Sequence, residues 1–346
     1  MKKPLLKPPE KNDEIIFLPH IAAFLKLLRD ESIIGTAHQP YFFHPGIALK
    51  FLFIDILDIP KKKIIFVDTD KIKVSIKIPT KETIKVLPFL DTDEVLYAYQ
   101  TPQEKKITEF FISVENEIKK NQYHNHHEVV SNFLFFKDMF MKNINKKYLK
   151  DVLAESFIQY FDIKTQYMFL SEVIKSKYFE ELFLLIYNED KNYRKIFNQI
   201  LDEYKDEFRF RYKNFPFPKL TDDELPFWIL HEGKRIRCFK KDVKEYGYKK
   251  CIIIPRASTL TLFLRLYKCD YFVHGIGGAN YEWVQNRIIE RFFKKPPLQY
   301  AIISGTFFID NMNEREFPYF FYNQLRINKT LKEFMKKKHG IVSLKT

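Results

Sequence analysis

Apolar residues recur along this chain in short runs closed by polar junctions. Ile33-Ile34 opens a strand that ends in Thr36-Ala37-His38-Gln39-Pro40, and residues 47–57 have the apolar density of a helix, with Pro45-Gly46 at its start and Pro60 beyond its end. Ile64-Ile65-Phe66-Val67 is a compact apolar strand running into Asp68-Thr69-Asp70. Strand, helix and strand in that order predict a βαβ unit of a parallel sheet. Ile72, Val74, Ile76 and Ile78 then alternate with Lys and Ser, the period of two of a half-exposed strand, and Pro79 closes it.

Beyond Thr101-Pro102 the period becomes helical. Ile107, Phe110, Phe111, Val114 and Ile118 share one face, and similar stripes recur over residues 149–160 and 193–204. Strand patterns return at residues 227–230, 235–239, 251–254, 271–273 and 300–303, with helical runs at 260–267 and 283–293 separating the last three. The expected fold is α/β: a tail over 1–20, the first half of a parallel sheet over 21–102, a helical insertion over 103–215, and a second half over 216–346 that ends in an amphipathic helix at 331–338.

Composition narrows the class. Hydrophobic residues make up 46% of the 346, with 36 Phe and 20 Tyr, which excludes general disorder. No apolar stretch reaches the ~20 residues of a membrane span and the start lacks a signal-peptide core, so a cytoplasmic protein without a membrane partner is expected. Cys238, Cys251 and Cys269 have neither disulfide-framework nor zinc-knuckle spacing. The net charge of +14 invites a nucleic-acid reading, but its densest segment, 234–250, is interrupted by Asp242 and Glu245, and no zinc-finger, RRM or KH signature is present.

Candidate chemistry sits at strand ends, where open parallel sheets bind ligands. Four junctions qualify: residues 36–39, 68–70, 255–258 and 274–278. Asp68 and Asp70 have the D-x-D spacing that on extended backbone puts both carboxylates on one side, suited to Mg²⁺, an amine, or general-base work. His38 is a second candidate base. His44 precedes a helix start, where a neutral imidazole is favoured. Thr36, Gln39 and Ser258 supply polar contacts, Arg256 a bidentate anion clamp, and Lys50, one turn after Gly46, a reach to the same anion. His274-Gly275-Ile276-Gly277-Gly278 reads as a strand, glycine turn and helix start able to hold phosphate or carboxylate. It departs from the G-x-G-x-x-G pattern, so NAD is not expected. His124-Asn125-His126-His127-Glu128 reads as a solvated link, and no metal site is assigned.

Thr36-Ala37-His38-Gln39 before a proline/glycine helix start, the strand ending in Asp68-Thr69-Asp70, Leu225-Pro226-Phe227-Trp228 before a basic strand, and Pro255-Arg256-Ala257-Ser258 follow a known order of blocks. Over residues 33–310 they resemble the bacillithiol-biosynthesis cysteine-adding enzymes (BshC-like), with stronger similarity around 255–281 to bacterial proteins of similar length and unassigned activity. The resemblance implies a Rossmann-like parallel sheet with inserted helices, and it implies Thr36, Gln39, Asp68, Asp70 and Arg256 as pocket residues. His38 stands where that family has Gln, and nothing after Asp310 corresponds to its coiled coil. The core also resembles nucleotidyltransferases, without the second histidine of their signature after His44. The expectation is a ligase or transferase joining an amino or thiol nucleophile to a small anionic acceptor, with a nucleotide or Mg²⁺ as the open cofactor. A non-catalytic nucleotide- or nucleic-acid-binding protein, or a nucleotidyltransferase-like enzyme, is the alternative.

Overall fold

The computed structural model describes residues 14–18, 21–41, 45–79, 84–121, 126–208, 217–246, 252–279 and 282–306, together with Leu331. The chain begins β1 (Glu14–Leu18), α1 (Ile21–Leu27), β2 (Ile34–His38), α2 (Pro45–Ile56), β3 (Lys62–Phe66), β4 (Lys71–Pro79) and β5 (Ile84–Val95). The helical stripes become α3 (Glu104–Lys120), α4 (His126–Lys142) and α5 (Leu149–Tyr160), then β6 (Tyr167–Phe169), α6 (Leu170–Val173), α7 (Lys177–Asn188) and α8 (Asp190–Phe208). The remainder runs β7 (Glu224–His231), β8 (Lys234–Phe239), α9 (Lys240–Tyr246), β9 (Ile252–Pro255), α10 (Ala257–Tyr267), β10 (Tyr271–His274), α11 (Ile276–Ala279), α12 (Glu282–Arg291) and β11 (Gln299–Thr306).

Two sheets result. The first has the order β1-β11-β10-β2-β3-β6, parallel throughout except for β1, which runs antiparallel to β11 at the edge. Its inner strands are buried on both faces, which is why their sequences are continuously apolar. Ile64 and Phe66 join one core with Phe51 of α2 and Phe157 of α5, whereas Ile65 and Val67 join a second with Phe179, Leu262 and Ile288. Gly35 in β2 must be glycine, because a Cβ there would collide with Cys269 Sγ.

The second sheet, β4-β5-β8-β7-β9, is antiparallel. As its alternation predicts, β4 buries Ile72, Val74, Ile76 and Ile78, and it does so against α3. Within this sheet β5 meets β8 through the pair Glu94–Lys234.

The fold is therefore mixed α/β, and the expectation of two parallel-sheet halves needs correction. Strands β7, β8 and β9 belong to the antiparallel sheet, and only β10 and β11 join β2 and β3. The turn Glu232-Gly233, with φ of 48° and 76°, folds β8 straight back on β7 and leaves no room for a crossover helix. The stretch expected as helical insertion also contributes β6, which extends the parallel sheet beside β3. Glu14–Leu18, expected within a tail, is the edge strand β1 and buries Ile15 and Phe17. His126 already lies in α4. The 331–338 helix beyond Leu331, Cys251, and His124-Asn125 lie outside the described residues. Among the described residues no helix is long and apolar enough to cross a membrane.

Candidate functional site

β2 pairs with β10 only through Ile34–Tyr271 and Gly35–Phe272. Beyond that the two strands part, and the Thr36 hydroxyl donates to Val273 O (2.8 Å) in place of a ladder bond. Because β2 continues to β3 on one side and β10 to β11 on the other, this is the switch point of the sheet. A cleft of about 870 Å³ opens there, at the carboxyl ends of β2, β3 and β10 and under α10 and the β7-β8 hairpin.

His38, Gln39, Lys50, Asp70, Arg256, Ser258, His274, Gly275, Gly277 and Gly278 all border this cleft. Arg256 arrives from the antiparallel sheet, through β9 and the start of α10, so its convergence has a different cause from the strand-end rule. Thr36 is buried in the strand and does not border the cleft. His44 lies outside the described residues.

Asp68 and Asp70 do not form a pair. β3 ends at Phe66, and the backbone bends through residues 67–70, so the two-residue period of a strand no longer orients them. Asp68 is fully buried away from the cleft, accepting from Ser171 N (2.9 Å) and Oγ (2.5 Å), with Lys150 Nζ at 3.4 Å from Oδ2. Burial raises its pKa against the lowering effect of those partners. Its partners Lys150 and Ser171 line a second cavity of about 650 Å³. Asp70 instead accepts from Gln39 Nε2 (2.5 Å) and pairs with Arg235 (2.6 Å). The divergence removes the expected Mg²⁺ pair, and among the described residues no group of three His, Cys, Asp or Glu could hold a metal.

Arg256 is not a free clamp. Its Nη2 bonds Glu224 Oε1 (2.7 Å), its Nε bonds Phe227 O (3.1 Å), and its guanidinium stacks 4.3 Å from the centre of Trp228. Burial would raise the Glu224 pKa, but the Thr221 amide and hydroxyl and Arg256 outweigh it and hold the carboxyl below its ordinary value. Arg235 reaches the same Trp228 ring at 5.4 Å. Two arginine–carboxylate pairs thus frame one indole, and the more exposed Arg237 also lies 3.8 Å from Glu224 Oε1.

Lys50 is different. It is 4% exposed, its ammonium donates to Ala37 O (3.1 Å), and among the described residues no carboxylate lies in salt-bridge range. Desolvation pushes its pKa down to about 7. Among the described residues it is the cleft cation without a carboxylate partner. Beside it, His38 Nδ1 lies 3.0 Å from Gln39 O. A carbonyl only accepts, so Nδ1 carries the proton and the basic nitrogen of the neutral ring is Nε2.

The 274–278 turn is shorter than a phosphate-binding strand–turn–helix requires, since α11 is a single turn. Gly278 is instead pressed on His274, whose Nδ1 would lie 2.5 Å from an added Cβ. His274 Nε2 is 2.5 Å from Glu282 Oε1, and Arg265 pairs with the other oxygen of that carboxylate, all three side chains being buried. Arg265 also donates to Asn286 Oδ1 (2.7 Å) and Leu298 O (2.5 Å). This network anchors the turn, and His274 is a positioning residue within it.

No family model, curated protein or solved structure matches this chain.

Sequence reasoning missed Glu224, Arg235, Trp228, Glu282 and Arg265. Arg235 was visible only as one charge in the basic segment, and Lys240 of that segment is also engaged, with Asp190. Trp228 stands in the 225–228 block without an assigned role, and Glu224, Glu282 and Arg265 show no local pattern. They matter through contacts that the tertiary fold alone creates.

Proposed function

We propose that this chain is an enzyme of the ligase or transferase type, with a Rossmann-like parallel core, that binds a small anionic acceptor in the switch-point cleft. The carrying observation is Lys50: a buried ammonium without a carboxylate counter-ion among the described residues, bordering a cleft whose arginines are already paired. An isolated buried charge is costly, and a bound anion removes that cost. The nucleophile is an amine or thiol, in keeping with the likeness of the Thr36–Gln39, Asp68–Asp70 and 255–258 blocks to the cysteine-adding enzymes.

In this reading His38 Nε2 takes the proton from the attacking N–H or S–H group as the bond to the acceptor forms. Lys50 neutralises the negative charge gathering on the acceptor or on its leaving group. Asp70, expected as a base, is occupied by Arg235 and Gln39 and orients Gln39 instead. General-base catalysis contributes about 10²–10⁴-fold, so His38→Ala lowers turnover by that order once a substrate is in hand.

The experiment is native mass spectrometry of small molecules retained by the purified protein, repeated with Lys50→Met. An acidic ligand retained by the wild type and lost from the variant supports the proposal. Retention that ignores Lys50, or tight salt-sensitive nucleic-acid binding instead, overturns it.

A further inference from the structure

The identity of the anionic group can be taken further, on the basis of the anion-binding reading of the same cleft. α10 is an eleven-residue helix whose N terminus, capped by Arg256, carries no side-chain cap hydrogen bond. Its first amide with a main-chain acceptor among the described residues is that of Leu260, bonded to Arg256 O (2.7 Å). Ser258, in the first turn, is 3% exposed and borders the cleft, yet its hydroxyl makes no hydrogen bond among the described residues. Its neighbour Thr259 shows what a satisfied hydroxyl looks like here, donating to Pro226 O at 2.7 Å. A hydroxyl that faces the cavity and has no protein acceptor among the described residues, beside an open helix start, is a donor set awaiting an acceptor.

Charge narrows the acceptor. The Arg235–Asp70 and Arg256–Glu224 pairs each sum to zero. What remains bordering the cleft among the described residues is the Lys50 ammonium and the N terminus of α10, equivalent to about +0.5 charge. The total is about +1.5, which matches a phosphate monoester at about −1.5 to −2 and exceeds a carboxylate at −1. Donor number points the same way. The Ala257 and Ser258 amides, the Ser258 hydroxyl, the Nη1 group of Arg256 and the remaining N–H groups of Lys50 outnumber the roughly four acceptor sites of a carboxylate.

We infer that the substrate of this cleft carries a phosphoryl group, seated on the N terminus of α10 and the Ser258 hydroxyl, with Lys50 supplying the counter-charge.

The test is calorimetric titration of the full chain at pH 6.5 and low salt with phenyl phosphate, inorganic phosphate and phenylacetate, the last being a carboxylate of similar size. Phenyl phosphate is expected to bind at least about tenfold more tightly than phenylacetate, the difference that one further charge-assisted hydrogen bond makes. Ser258→Ala is expected to weaken phenyl phosphate about tenfold on the same grounds, and to leave the unfolding temperature of the free protein unchanged. Lys50→Met is expected to weaken it by more, and Lys50→Arg to retain it. Equal or tighter binding of phenylacetate overturns the phosphoryl assignment and leaves the anion reading standing. Phenyl phosphate binding indifferent to Ser258→Ala overturns the placement on α10. Failure of all three probes removes the anion reading together with this inference. Should Lys50→Met fail to fold, Ser258→Ala and Lys50→Arg decide the matter.

Discussion

Replacing Lys50 by methionine should make the free protein more stable while depriving it of its ligand. The folded protein holds the Lys50 pKa at about 7, against about 10.4 in the unfolded chain. A cation whose pKa falls on folding opposes folding wherever the unfolded chain keeps the proton that the folded one sheds. The opposition is fully present below pH 7 and fades as pH rises to 10.4. Linkage puts the penalty at about 4 kcal/mol at pH 7 and about 2 kcal/mol at pH 9. Methionine fills nearly the same volume without a charge, and loses only the bond to Ala37 O, about 1 kcal/mol. Lys50→Met should therefore gain about 3 kcal/mol over wild type at pH 7 and about 1 kcal/mol at pH 9. Guanidinium unfolding of both proteins, followed by circular dichroism from pH 6 to 9, measures the gap directly, and the other titrating groups cancel in the difference. A gap that does not change with pH, or a variant less stable throughout, would show that the ammonium is compensated within the protein and would remove the argument for a ligand counter-ion.

Other outcomes follow from the same geometry. An anion that restores the charge of Lys50 must draw in a proton above pH 7, so phosphate affinity should fall as pH rises from 7 to 9, and Lys50→Arg should abolish that dependence; titration in buffers of different ionisation enthalpy reports the proton uptake. Gly278→Ala puts a Cβ 2.5 Å from His274 Nδ1, and displacing that buried ring should cost about 1–3 kcal/mol, read as a lower urea midpoint. Asp68→Ala should lower stability and leave phosphate affinity unchanged, since Asp68 ties Ser171 and Lys150 outside the cleft. Asp70→Ala should instead change affinity by releasing Arg235, and a matched pair of calorimetric and unfolding measurements separates the two.

The elements of this fold were legible because their burial is written in the spacing of apolar residues. The continuous run Ile64-Ile65-Phe66-Val67 needs cover on both faces and finds it, and β4 alternates as a one-sided strand does. Sheet membership was not legible from periodicity, since Phe227-Trp228-Ile229-Leu230 suits either sheet. The signal lay in Glu232-Gly233, a two-residue connection with both φ positive, which demands an antiparallel hairpin. At the site, strand ends located Gln39, Asp70 and His274, whereas Asp68 was misplaced by applying strand periodicity past the end of a strand. The burial of Lys50 also had a signal. Its helix, Pro45–Ile56, is apolar on every side apart from Lys50 and Asp55, and such a helix has no solvated face to offer a lysine.

The adjacency of β2 and β10 has a consequence for how the protein is made. Thr36 and Val273, bonded across the switch point, are 237 residues apart in the chain. A ribosome adding about 5–20 residues per second needs roughly 10–50 s to deliver the second after the first. For most of that interval β2, β3 and the largely apolar α2 have emerged, while one neighbour of β2 and the α10 and α12 cover of the second core do not yet exist. Nascent chains of this protein must therefore spend many seconds with an unsatisfied strand edge and a half-built core. Its yield is thus expected to respond to synthesis rate and chaperone supply as well as to the stability of the finished molecule.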